Sequence, residues 1–277
     1  MSEYIQGLRI VRELEPFLVV TPTNRRPLDA APFGVRVPKR NVIDPMRMES
    51  EGFLALLQTL DGRTFGPEGM PMDRWVFYDC CYMPGAIFGF GRPAQTLSEH
   101  AREVLEVPDD YQGLVPYAMY IAIPMAPPGA WMGHNLASIA PILAEEELTG
   151  LGTLTKAMGL RCFRTKAFYG ATQWSSKALY IHVKFGPLDL LTAWTPAHSE
   201  PRTLTYAFTV SERALLTAAG DPTAPFPKVV PEVWVDSEDT ATMIALQDRI
   251  EAGERFVIAG PPRRQDGRIA LPIAQAR

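Results

Sequence analysis

The spacing of apolar and polar residues predicts short strands joined by turns, with few helices. Apolar residues recur at helical spacing over residues 50–60, and the pair Asp61-Gly62 is a turn signal that predicts the end of this helix. Thr96 and Glu99 have the spacing of a capping box and predict a helix that stops at Pro108. Runs of branched and aromatic residues predict strands over residues 17–20, 74–78, 86–90, 115–125, 161–169, 178–185, 188–194 and 203–210.

The last part of the chain differs in character. A proline-rich linker begins at Asp221, and the pattern beyond it predicts a strand over residues 232–235, a helix that ends at Glu251 and a strand over residues 255–259. The chain has 26 prolines, and proline breaks helices and avoids central strands. We therefore predict an α+β fold with a mainly antiparallel curved sheet and a few flanking helices. Residues 1–220 are predicted to form the main domain, and residues 221–277 a C-terminal appendage packed on it.

Composition and charge exclude several classes of partner. The chain is 47% hydrophobic and 21% charged with a net charge of -4, so no electrostatic footprint for nucleic acid is present. No secretory signal and no apolar stretch long enough to span a membrane occur, which predicts no membrane partner. Cys80, Cys81 and Cys162 lack metal-ligand spacing and are interpreted as reduced thiols of a cytoplasmic protein. We predict no metal and no other cofactor.

Lys156 is the most distinctive candidate for chemistry. It lies in a nearly apolar segment with Gly150, Gly152 and Gly159, and no Asp or Glu occurs in residues 148–188. A lysine in such surroundings loses the solvation of its charged form, so its pKa is expected to fall and its neutral amine to become a nucleophile. The alternative is a lysine whose stem is packed while its ammonium group reaches solvent.

Other polar and aromatic residues have two interpretations each. His134 and Asn135 form a polar island that could hold a substrate carbonyl or transfer a proton, or could simply form a turn. Trp174 lies in a predicted strand turn that could line the mouth of a pocket or could be a plain hairpin loop. The glycines that alternate with Phe88 and Phe90 indicate close strand packing, because no phosphate-binding lysine motif follows them.

Several stretches together resemble the acetoacetate decarboxylase-like superfamily. The resemblance spans roughly residues 85–195. It is carried by a helix that ends in a Val-Pro turn, by the strand that follows, by a turn near the family's catalytic polar groups, and by a loop that ends in the family's Schiff-base lysine. These stretches are residues 96–107, residues 115–124, Trp131-Met132-Gly133-His134-Asn135-Leu136, and Gly150-Leu151-Gly152-Thr153-Leu154-Thr155-Lys156-Ala157-Met158-Gly159.

The resemblance implies a closed β-cone around a ligand cavity and a Schiff base between Lys156 and a small oxo-acid substrate. The family has a carboxylate in the turn where this chain has His134, so we expect His134 to transfer the proton. The family also has a second lysine next to the reactive one, and this chain lacks it. Arg161 or Arg164 is therefore expected to supply the neighbouring positive charge.

We accordingly expect a lyase of the decarboxylase or aldolase-dehydratase type that needs no cofactor. The predicted catalytic residues are Lys156 and His134, and the predicted substrate-binding residues are Asn135, Arg161, Arg164, Tyr120, Trp131 and Trp174. Two other functions stay open at this point. One is a hot-dog fold enzyme that acts on an acyl thioester, and the other is a protein that binds a small hydrophobic ligand without catalysis. Homo-oligomer formation also stays open.

Overall fold

The structure, a computed structural model, describes residues 2–265 and 267–276. The chain forms two compact units, residues 1–165 and residues 166–277, which we call the N-unit and the C-unit. The predicted domain boundary after residue 220 stays a prediction. Among the described residues, no helix is both long enough and apolar enough to span a membrane.

The N-unit has helices on both faces of a sheet. Its strands are β1 (Glu15–Val19), β2 (Val42–Ile43), β3 (Ala86–Pro93), β4 (Leu114–Pro124) and β5 (Ala130–Ser138). Its α-helices are α1 (Ser2–Gly7), α2 (Arg9–Glu13), α3 (Pro22–Arg25), α4 (Glu51–Phe65), α5 (Arg74–Val76), α6 (Glu99–Val104), α7 (Ala140–Leu143) and α8 (Leu151–Cys162). A π-helical turn, Phe77–Tyr82, continues α5.

The sheet of the N-unit is mixed, in the order β2-β1-β3-β4-β5. β1 and β2 are parallel, and the other pairs are antiparallel. β4 is buried along most of its length because its run of Val, Tyr, Met and Ile packs on both faces. β3 approaches β1 and β4 so closely that a Cβ at Gly89 would lie 2.2 Å from the Phe17 ring and from the Ala118 carbonyl oxygen. Close strand packing is therefore the role of this glycine, as predicted.

α4 and α8 lie on opposite faces of this sheet. Tyr120 of β4 is paired with Phe88 of β3, and the next residue of β4 is paired with Asn135 of β5. Successive side chains of a strand point to opposite faces. Gly159 of α8 lies against Tyr120, whereas Asn135 donates a hydrogen bond to Asp61 of α4. One face is therefore covered by α8 and the other by α4.

The C-unit contains a second run of antiparallel strands. Its elements are β6 (Ala167–Gln173), α9 (Leu179–His182), β7 (Leu188–Thr192), β8 (Thr203–Thr209), α10 (Glu212–Ala218), β9 (Val233–Asp236), α11 (Thr240–Glu251), β10 (Phe256–Ile258), β11 (Arg263–Gln265) and β12 (Arg268–Gln275). The strand order is β6-β8-β7-β10-β12, and β12 also pairs with β9 and β11. Asp239 caps α11 by accepting the Thr242 N–H.

The predicted closed β-cone or barrel is wrong. Within each unit the strand order is linear, and among the described residues its first and last strands do not pair with each other. The sheets are therefore open, and part of the N-unit sheet is parallel. A cavity enclosed by a closed cone, into which Lys156 would point, does not exist in this arrangement.

Several predicted segments have a different structure. Residues 74–78 and 178–185 are helical rather than extended, because a short apolar run fits either structure by periodicity alone. The segment around Lys156 is α8 rather than a loop, and α8 extends into residues 161–162, which we expected in a strand. Beyond the last predicted strand, residues 263–265 and 268–275 form β11 and β12, which the sequence pattern did not predict.

Candidate active site

Asp61 is a buried carboxylate in α4, and only 2% of its surface is exposed. The Asn135 side-chain amide donates to its Oδ1 at 2.5 Å, and the Met72 backbone N–H donates to its Oδ2 at 2.7 Å. Burial raises the pKa of Asp61, and the two hydrogen bonds act in the opposite direction. A carboxylate whose pKa lies above the ordinary value is a stronger base once it is ionised.

The position of Asp61 follows from the helical repeat of α4. Phe53, Leu57 and Leu60 form the buried side of the helix. Asp61 lies one turn beyond Leu57, at the border of that side, so its side chain is carried toward the sheet. Asp61 was not predicted as a site residue because the pair Asp61-Gly62 has the composition of a turn. A polar residue at the spacing of the buried side was the signal that could have identified it.

His134 stands beside this pair at an irregularity of β5. The register between β4 and β5 shifts so that Asn135 and Gly133 face successive residues of β4, and His134 is left without a partner there. The imidazole is half-buried, and its Nδ1 has no hydrogen-bond partner within the described chain. Burial lowers the pKa of His134, which favours the neutral ring. Of the predicted neighbours His134 and Asn135, Asn135 thus reaches a carboxylate that was not predicted.

A small groove lies along the outer side of α4. Its volume is about 230 Å³, and it is bordered by Leu54, Ala55 and Gln58 of α4, by the loop before α4, and by Tyr78 and Tyr82. Leu54, Gln58 and Asp61 follow one another at spacings of four and three residues, so Asp61 continues the helix side that forms the groove. The Asp61 carboxylate also helps to raise the pKa of Tyr82, mainly a consequence of burial. The carboxylate therefore lies near Tyr82, which borders the groove, although Asp61 itself does not line it.

A larger cleft of about 910 Å³ lies at the β2 side of the N-unit. Its charged groups pair with one another. Arg40 donates to both oxygens of Glu15 at 2.9 Å, and Asn41 donates to the same carboxylate at 2.8 Å. The cleft is therefore polar and internally compensated.

Lys156 is completely buried in α8. Burial lowers its pKa well below the ordinary value of 10.5, which confirms the predicted direction and excludes an ammonium group that reaches solvent. Gly159, one turn along α8, lies against Tyr120 and Phe88, so this part of the helix packs on the sheet. In the described part of the N-unit, Lys156 borders none of the four cavities that we identify.

Most of the other predicted binding residues do not belong to the group formed by Asp61, Asn135 and His134. Trp131 and Tyr120 stack on Phe163 at the end of α8, with ring centroids 5.0 and 6.0 Å away. Arg161 is exposed and forms an ion pair with Asp29 at 3.7 Å.

The remaining two predicted binding residues, Arg164 and Trp174, lie in different parts of the chain. Arg164 follows α8 in a left-handed backbone conformation with φ of 53° and is exposed. Trp174 belongs to the C-unit, is fully buried, and donates from Nε1 to the Ala193 carbonyl oxygen at 2.7 Å. The binding roles predicted for these residues stay predictions.

Metal ligands do not gather among the described residues: no group of three or more His, Cys, Asp or Glu side chains there could hold an ion. Cys80, Cys81 and Cys162 are free thiols. Burial raises the pKa of Cys81 and of Cys162, so both remain protonated at neutral pH.

No protein-family model matches the chain, and no curated protein matches its sequence. Among solved structures it is similar to the ribosomal-protein-S18-alanine N-acetyltransferase from Escherichia coli, with 13% identity, a TM-score of 0.37 and coverage of 57% of this chain and 88% of that one. An aminoglycoside 6'-acetyltransferase type Ii matches with 11% identity, a TM-score of 0.38 and coverage of 59% and 94%. For the IAA acetyltransferase from Bacillus cereus, the identity is 16%, the TM-score 0.33 and the coverage 55% and 91%.

The open sheets correct the expected family and activity. The acetoacetate decarboxylase-like fold is a closed cone, which the described strands do not form, so the expected resemblance is wrong, and with it the Schiff-base lyase and the oxo-acid substrate. The hot-dog enzyme and the non-catalytic binding protein gain no support either.

Proposed function

We propose that this protein transfers an acyl group to a nucleophilic acceptor, and that Asp61 is the general base. The observation that carries the proposal is the buried carboxylate of Asp61, held by Asn135 and by the Met72 N–H near Tyr82, a residue that borders a groove of molecular size. Each carboxylate oxygen accepts one hydrogen bond from the protein and retains a further lone pair. That lone pair can accept the proton of an amine or a hydroxyl group.

The reaction needs an activated acyl donor, either a thioester or an ester. The acceptor nitrogen or oxygen attacks the acyl carbon, a new bond forms there, and the bond to the leaving thiol or alcohol breaks. The acceptor's proton passes to Asp61, which then releases it to the leaving thiolate or alkoxide and returns to its ionised form. Asn135 orients Asp61 and does not itself touch the reacting atoms.

The free thiols support our further proposal that the protein is cytoplasmic.

Replacement of Asp61 by asparagine tests the base directly. Asp61→Asn preserves the shape of the side chain but cannot accept the proton, so acyl transfer should fall by about a hundredfold or more. The assay follows release of free thiol from acetyl-coenzyme A in the presence of a panel of amines and alcohols. Asp248→Asn, an exposed aspartate of α11, is the matched control and should keep the full rate. An Asp61→Asn protein that retains the wild-type rate would disprove the proposal.

The pH dependence gives a second test. Because the pKa of Asp61 is raised above 3.8, the rate should rise with pH through a midpoint above that value, as the carboxylate becomes ionised. The Asp61→Asn protein should lack this rise. A residual rise with the same midpoint would assign the titration to another group.

A further inference from the structure

We infer that two copies of this chain associate through the surface formed by Trp75 and the groove along α4, with Trp75 of each copy seated in the groove of the other. The inference goes beyond the proposed function and does not depend on any catalytic activity. It comes from the exposed apolar side chains of this surface, from the position and size of the groove, and from the charges around both features.

Exposed large apolar side chains are concentrated on this surface. Among the described residues, thirteen such side chains are exposed, and six of them lie in residues 46–83. Met46, Met48 and Tyr78 border the groove. Trp75 of α5, which is 66% exposed, lines a shallow depression together with Tyr78. Trp, Tyr and Met are enriched at protein interfaces, and an exposed apolar patch of this kind is typical of a protein interaction site.

The surface has a projecting side chain and a groove next to each other. Arg74 and Tyr78 border the groove and also the depression around Trp75, so the two features share an edge. A two-fold interface joins the same patch of both copies, so each contact between different parts of the patch occurs twice. A projecting ring and a groove on one patch are therefore suited to a two-fold contact between two copies.

The groove has the size of an indole ring system. Its volume is about 230 Å³, which corresponds to about eight water-sized groups, close to the number of non-hydrogen atoms in an indole. Its lining includes Leu54 and Ala55 of α4 and the rings of Tyr78 and Tyr82. Aromatic side chains seated in such pockets supply much of the binding energy of protein interfaces. Trp75 of a second copy therefore fits the groove.

The charges around the groove and around Trp75 are complementary. The groove is lined by two arginines and one glutamate, namely Arg47, Arg74 and Glu51. The depression around Trp75 is lined by two aspartates and one arginine, namely Asp73, Asp79 and Arg74. The ion pair between Arg74 and Glu51, at 3.3 Å, is exposed at both ends and therefore weak. When Trp75 enters the groove of the second copy, its aspartates approach the arginines of that copy, which favours the association.

Sedimentation velocity over a range of protein concentrations tests the inference. The mass should rise with concentration from that of one chain to that of two. Trp75→Ala removes the projecting ring and Ala55→Trp fills the groove, so each should raise the dissociation constant of the dimer by about tenfold or more. Both positions are exposed, so the circular dichroism spectrum should stay the same.

Two variants serve as matched controls. Ile142→Ala removes an apolar side chain of α7 that is 44% exposed, and Ala245→Trp adds a ring at an exposed position of α11. Both should associate like the wild type. A chain that stays monomeric at every concentration would overturn the inference, as would wild-type association by Trp75→Ala or by Ala55→Trp.

A pair of charge reversals tests which surfaces meet. Arg47→Glu makes the groove acidic, and Asp79→Lys makes the depression around Trp75 basic. Each variant alone should dimerise about tenfold more weakly, because both contacts of its dimer then join like charges. An equimolar mixture should recover the wild-type affinity, since both contacts of the mixed dimer join opposite charges. A mixture that associates no better than either variant alone would contradict the inferred arrangement.

One consequence of the association rests on the proposed function. Tyr82 borders the groove and lies near Asp61, so Trp75 of a second copy closes the groove near the proposed base. The rate of thiol release per chain should therefore fall as the dimer forms, whereas for Trp75→Ala it should not depend on protein concentration. If the dimer forms but Asp61→Asn keeps the wild-type rate, the association is correct and the proposed base is wrong. If Asp61→Asn loses the rate but no dimer forms, the base is correct and the association is wrong.

Discussion

Replacement of Gly159 by alanine tests the packing of α8 on the sheet. A Cβ at this position would lie 2.6 Å from Cδ1 of Tyr120 and 3.4 Å from Cβ of Phe88. Tyr120 cannot easily retreat, because it is 2% exposed and its ring stacks on Phe163. The substitution therefore forces a shift of the helix or of the ring, and overpacking of this kind costs about 1–3 kcal/mol.

Helix propensity acts against this cost. Alanine is favoured over glycine inside a helix by about 1 kcal/mol. The 2.6 Å contact places the packing cost at the upper end of its range, so Gly159→Ala should lower the free energy of unfolding by about 2 kcal/mol. Gly62→Ala in α4 isolates the propensity, because nothing lies within 4 Å of the position that a Cβ would take there. It should raise the stability by about 1 kcal/mol.

Urea denaturation followed by circular dichroism measures both values. The two alanine variants should differ by about 3 kcal/mol, although both replace a glycine within a helix. If Gly159→Ala is as stable as Gly62→Ala, the close approach of α8 to Tyr120 is wrong. The assignment of Lys156 to a sheet-facing helix would then lose its basis as well.

Two further predictions concern buried polar groups. Because burial lowers the pKa of Lys156, the unfolded chain binds its proton at higher pH than the folded chain does. As the pH falls from about 10.4, the stability of the wild type should therefore fall relative to that of Lys156→Met by about 1.4 kcal/mol per pH unit, until the pH reaches the pKa of Lys156 in the folded protein. Urea titrations at pH 7, 8 and 9 measure this difference, and a constant difference would contradict the prediction. Trp174→Phe leaves the Ala193 carbonyl without its indole donor and should cost about 2–4 kcal/mol in the same assay; an unchanged stability would refute the buried hydrogen bond.

Strands with a strong local signal were predictable from the sequence. β4, β7, β8 and β10 lie close to the predicted positions, since branched and aromatic runs bounded by turn residues have few alternatives. α8 was missed because the family resemblance implied a loop over this segment. Gly159 allows α8 to pack closely against Tyr120. A contact between elements that are distant in the chain cannot be recognised from the spacing of residues in one sequence.

The candidate site was only partly predictable for the same reason. His134 and Asn135 stood out as polar residues in an apolar context, but the partner of Asn135 lies 74 residues away. Asp61 was attributed to a turn because Asp-Gly usually forms one. α4 continues through that pair to Phe65, and the tertiary contact with β5 outweighs the local preference.

The two faces of the N-unit sheet differ in what they offer a substrate. On the α8 face, Lys156, Tyr120 and their neighbours are sealed by packing, so a neutral amine there cannot reach a substrate unless the helix moves. On the α4 face, Asp61 is similarly buried, but it lies near Tyr82, which borders a groove. Chemistry requires both a reactive group and a route to it. The more conspicuous residue of the sequence therefore lies on the closed face, and we expect catalysis on the face that carries the less conspicuous carboxylate.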